Sequence, residues 1–146
     1  MKIALLIPCT SNNKEYNNFK DKDLYIYLFK SFFTTYDLNH EYKIYLGIDY
    51  DDNFYQDITV QNNIKRFISV MKNTDIIIIN HDISYKGNTS KLWSNLYKMA
   101  YEDNFDYFVQ LGDDIKILDK DWVNSSIKEL KKYNDIGVVG FTDMGR

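Results

Sequence analysis

One cysteine, one proline, two arginines and two histidines are all that the 146 residues contain of these types. The lone Cys9 has no partner for an internal disulfide, so nothing points to an oxidising compartment. Basic blocks are also missing. Lys and Arg total 18 against 21 Asp and Glu, a net charge of −3, which argues against a nucleic-acid footprint. No apolar run approaches the ~20 residues of a membrane helix. The apolar stretch Ile3–Ile7 stops at Pro8, too short for a signal-peptide core. Without such a signal, Asn88-Thr89-Ser90 and Asn124-Ser125-Ser126 carry no meaning as glycosylation sites. The expectation is a cytoplasmic protein with no membrane span and no nucleic-acid partner. No repeat, low-complexity tract or Gly/Ser/Pro linker divides the chain, so residues 1–146 read as one domain.

What is present is alternation. Short runs rich in Ile, Val, Tyr and Phe lie at Lys2–Ile7, Tyr42–Ile48, Asp75–Ile79, Asp106–Leu111 and Ile136–Phe141, and each reads as a buried strand. Between them run stripes of helical spacing: Leu24, Tyr27, Leu28 and Phe32; Ile64, Phe67, Ile68 and Met71; Leu92, Leu96 and Ala100; Val123, Ile127 and Leu130. Asp119 or Asp121 suits the cap of the last helix. The pattern β-α-β-α-β-α-β-α-β predicts an α/β fold, a Rossmann-like open and mostly parallel sheet with helices on both faces.

In such sheets ligands bind outside the carboxyl ends of the strands. Seven aspartates follow the five apolar runs: Asp49, Asp51 and Asp52, then Asp82, then Asp113 and Asp114, then Asp143. Like charges gathered on one edge repel unless a cation answers them. Carboxylates with few His and no second Cys suit Mg²⁺ or Mn²⁺ better than Zn²⁺. Turn and cap preferences account for part of this acid. They account least well for the adjacent pair in Gly112-Asp113-Asp114. Other templates fail. Asp49-x-Asp51-x-Asn53 opens like a calcium loop, but Phe54 and Val60 stand where Gly and Glu are required. No Gly-x-Gly-x-x-Gly and no P-loop follows the first run. Neither His40 nor His81 has a nucleophile motif nearby. His81 beside Asp82 reads as a hydrogen-bonded loop histidine before it reads as a metal ligand. Trp93, Tyr97 and Trp122 read first as packing residues.

Three stretches, Ile3–Thr10, Tyr45–Asp52 and Asp106–Ile115, together with Gly87–Asn95, resemble the nucleotide-sugar half of GT-A-fold glycosyltransferases, in the family-2-like branch with an Asp-x-Asp motif. The resemblance implies a donor site for a nucleotide diphosphate sugar, with a UDP-sugar favoured. Pro8 and Thr10 would line the base, Asp49 or Asp51 would bind uracil or ribose, and Lys91 would approach the phosphates. Asp114 would be the first metal ligand and Asp113 the second contact, around Mn²⁺ or Mg²⁺. A glycan or protein side chain would be the acceptor. Gly112 stands where the motif's first carboxylate belongs. The family continues past its fifth strand to supply the acceptor region and catalytic base, so a domain without a full acceptor region is expected, with Asp143 a candidate for the base. The alternative is a non-catalytic nucleotide-sugar-binding module acting with a partner. A nucleotidylyltransferase would need a Gly-rich first loop, which Pro8–Asn13 lacks, and a response-regulator-like domain would need a lysine after the fifth strand.

Overall fold

The computed structural model describes residues 1–12, 14 and 16–142. The chain opens with strand β1 (Lys2–Cys9), followed by a 3-10 turn at Phe19–Asp21. A π-type helical stretch at Leu24–Phe29 runs on into α1 (Lys30–Thr35). Next come β2 (Glu41–Ile48), α2 (Asn53–Gln56), α3 (Ile58–Ile68) and β3 (Thr74–Asn80). A 3-10 turn at Ile83–Tyr85 precedes α4 (Thr89–Glu102), β4 (Tyr107–Gln110) and α5 (Trp122–Lys131). The four strands form one sheet in the order β3-β2-β1-β4. Every pairing is parallel, with Ile3 opposite both Tyr42 and Tyr107, and Ile44 opposite Ile76.

Strand alternation divides the core in two. Ile3, Leu5, Ile7, Ile44 and Leu46 face one layer, where they meet Leu28, Phe29 and Phe32, Ile64 and Ile68 of α3, and Val123 and Ile127 of α5. Ala4, Leu6 and Tyr45 face the other layer and meet Leu96 and Ala100 of α4, with Phe105 edge-on to Tyr45. Small residues let α4 lie close. A Cβ on Gly47 would stand 3.2 Å from a methyl of Leu96 and 2.9 Å from Cε1 of His81. The predicted α/β class with a parallel sheet and helices on both faces is what the structure has. No helix among the described residues is long and apolar enough to cross a membrane.

Two local expectations are corrected. Ile136–Phe141 is not a strand. Val138 is 97% exposed and Ile136 79%, so their apolar side chains face water rather than a sheet. Gly137, with φ at +149°, and Gly140 break the run and offer nothing to pack. Neither Asp119 nor Asp121 caps the backbone of α5. Asp121 holds the N-cap position, but its carboxylate takes the Asn124 amide at 3.1 Å and the Ser125 hydroxyl at 3.0 Å, and Asp119 accepts the Asp121 N–H at 2.8 Å.

Candidate functional site at the carboxyl ends of the strands

β1 sits between β2 and β4. From β1 the chain moves outward through β2 to β3, then returns across the sheet to place β4 on the other side. The strand order therefore reverses between β1 and β4, and the crevice at such a reversal is where open α/β sheets bind ligands. Cys9-Thr10-Ser11 and Gly112-Asp113-Asp114 occupy it.

Carboxylates hold the β1 turn in place. Asp113 Oδ2 accepts the Thr10 N–H at 3.4 Å. Asp52 accepts the Thr10 hydroxyl at 3.3 Å, the Ser11 hydroxyl at 2.9 Å and the Ser11 N–H. Asp52 also caps α2 by accepting the Tyr55 N–H at 2.9 Å. It is 2% exposed, and these donors explain how it can be buried as a carboxylate. Thr10 thus spans two acids that lie 61 residues apart in sequence. Below them lies the Cys9 thiol. Burial first, and the neighbouring Asp113 second, push its pKa well above the ordinary thiol value, so Cys9 is an inert buried group. Burial likewise raises the phenol of Tyr55, which shares a hydrogen bond with Cys9.

Asp113 carries the site's electrostatic tension. Burial raises its pKa above the usual carboxylate range, against the opposing pull of the Thr10 N–H and the Cys9 thiol. A partly desolvated acid with long hydrogen bonds gains from a cation. Asp114 folds back over the turn, with Oδ1 3.0 Å from where a Cβ on Gly112 would lie. A side chain at Gly112 would therefore push on the Asp114 carboxylate.

The remaining predicted residues separate from this centre. Pro8 lies in β1 opposite Gly47. Asp49 stays close, because its N–H bonds Cys9 O at 3.2 Å, but its carboxylate takes the adjacent Tyr50 N–H at 2.9 Å. Asp51, in left-handed backbone at φ 63°, turns outward and pairs with Lys86 at 3.2 Å. Lys91 donates to Ser84 O and Ser84 Oγ, both at 2.9 Å, and lies 4.3 Å from the centre of the Tyr85 ring. Asp143 lies outside the described residues. The structure adds Ser11, Tyr55 and Lys22, and it gives Asp52, one of the seven strand-end aspartates, the place at the β1 turn that was expected of Asp49 or Asp51.

As a metal site, the donor set is all oxygen and suits a hard divalent ion. Among the described residues, no three His, Cys, Asp or Glu side chains cluster closely enough to hold an ion by themselves. Asp113 and Asp114 would supply two donors, with ligand oxygens and water completing the shell. No protein-family model, no curated protein and no solved structure matches the chain.

Proposed function

We propose that this chain is a glycosyltransferase-type domain that binds a nucleotide diphosphate sugar, with a UDP-sugar favoured, through Mn²⁺ or Mg²⁺, for transfer to a glycan or protein acceptor. The observation that carries the reading is the convergence of Thr10, Asp52 and Asp113 at the crevice between β1 and β4. A divalent ion, when bound, neutralises the charge that develops on a diphosphate leaving group. In this reading Asp113 and Asp114 hold it.

The chain's own residues do the rest. Asp52 and Asp113 fix the β1 turn, so that Pro8 and Thr10 present a preorganised wall to the base. Asp49, at the end of β2, lies beside that turn and is the nearer of the two aspartates expected to reach uracil or ribose. Lys91 would have to leave Ser84 to reach a phosphate, an exchange of exposed hydrogen bonds with little net cost.

Calorimetric titration with UDP, GDP and CDP, each with and without Mn²⁺, tests this. One nucleotide should bind at micromolar strength only with metal, and Asp114→Ala should abolish that binding. Absence of binding under every condition rejects the donor site. Binding with no turnover of the matching sugar donor selects the non-catalytic module instead.

A further inference from the structure

Lys22 is 6% exposed, yet among the described residues no carboxylate stands within ion-pair distance of its ammonium. Its Nζ donates to Ser11 O at 3.2 Å and lies 3.3 Å from the centre of the Tyr16 ring, with Phe54 at 5.4 Å and Tyr55 at 5.8 Å. A buried ammonium is costly without compensation, and here a carbonyl and three ring faces supply it. A methionine would fill the same space without that desolvation, so what the charge adds is direction.

We propose that Lys22 is a positioning residue, which together with Asp52 clamps Ser11 from opposite sides and thereby aims Thr10 at Asp113. Asp52 takes the Ser11 N–H and hydroxyl, and Lys22 donates to its carbonyl, which also accepts the Lys14 N–H at 3.2 Å, so a buried charge meets every polar group of this 2%-exposed residue. Thr10 is the next residue in the chain. A displaced Ser11 pulls on Thr10 through one peptide bond, and Thr10 is itself held by Asp113 at its N–H and by Asp52 at its hydroxyl. Lys22 touches no ligand in this scheme. Its effect on binding rests on the proposed nucleotide reading, whereas the clamp itself does not.

The test uses Lys22→Met and Lys22→Ala, read by amide NMR and by UDP titration with Mn²⁺. In folded Lys22→Met, the Thr10 and Ser11 amide resonances should shift, and UDP affinity should fall about tenfold, the scale of one charge-assisted hydrogen bond. Propylammonium replaces the atoms that Lys22→Ala removes. It should return both amides and the affinity toward wild type, whereas tetramethylammonium, which cannot donate to Ser11 O, should not. Unmoved amides in Lys22→Met overturn the clamp, and so does rescue by both cations alike. Wild-type affinity alongside shifted amides overturns the positioning role. If the wild-type chain binds no nucleotide, the site reading fails while the amides still decide the clamp. Should Lys22→Met not fold, recovery of the Lys22→Ala fold by propylammonium alone supports the clamp, and no recovery overturns it.

Discussion

His81 lies over Gly47 at the end of β3, with its ring held from two sides. Nδ1 donates to Ile48 O at 3.1 Å and Nε2 accepts from the Asn95 amide at 3.2 Å, which is the pattern of a neutral imidazole. It is a hydrogen-bonded loop histidine, as its sequence context suggested. Burial lowers its pKa, outweighing the opposite pull of the Ile48 carbonyl, Asp49 and Asp82. The unfolded chain therefore takes up a proton at a pH where the native state still refuses one. Stability contributed by this residue is complete above about pH 6.5 and is lost as pH falls below it. The melting temperature should fall between about pH 7.5 and 5.5, and His81→Gln should flatten that slope. An equal slope in the variant would show that His81 is not responsible. Asp37, Asp82 and Asp103 have lowered pKa values, so their contributions are present above about pH 4 and fade only below it.

At the scale of elements, α4 is, among the described residues, the sole helix on its face of the sheet, and it sits where Gly47 and Ala4 leave room. In Gly47→Ala the new methyl would meet His81 Cε1 at 2.9 Å and two Leu96 methyls at 3.2 and 3.3 Å. His81 is bonded on both sides and Leu96 is fully buried, so neither can yield freely. Overpacking of this kind costs about 1–3 kcal/mol. Urea unfolding should show a lower midpoint with an unchanged slope, and an unchanged midpoint would mean that α4 can shift outward. The stripe Leu92, Leu96 and Ala100 is wholly buried, as its spacing implied. In the helix before β2, Leu24, Leu28 and Phe32 are buried, but Tyr27 is 43% exposed and Phe29 takes the interior position instead. The π-type geometry of Leu24–Phe29 turns the inward face relative to a regular 3.6-residue repeat, which sequence spacing does not reveal.

For the whole molecule, strand order decides which end and which crevice matter. If the site lies at the β1/β4 switch point, UDP with Mg²⁺ should perturb the amides of Thr10, Ser11 and Gly112–Asp114, and chelation of the metal should reverse the shifts. The recess of about 380 Å³ lined by Tyr101, Glu102, Asn104, Phe105 and Asp106 lies at the opposite end of the sheet and should stay silent. Shifts centred on that recess instead would move the binding site away from the acidic edge.

Four apolar runs, their β-branched content and the stripes between them were enough to determine a parallel α/β sheet, because burial on both faces leaves its mark on every strand. The carboxylates at the strand ends were legible for the same reason, since loops follow strands in sequence. Ile136–Phe141 looked alike in composition but found no neighbour to pair with, and pairing is a property of the sheet rather than of the segment. Tertiary structure alone separated Asp52 from Asp49 and Asp51. One residue of difference in a turn decides whether a carboxylate points into the β1 turn or out toward Lys86. It also brought Asp113 to Thr10, a contact set by strand order and by the return of the chain across β1, and folded Lys22 back onto Ser11 within the segment that follows β1, neither of which spacing along the sequence encodes.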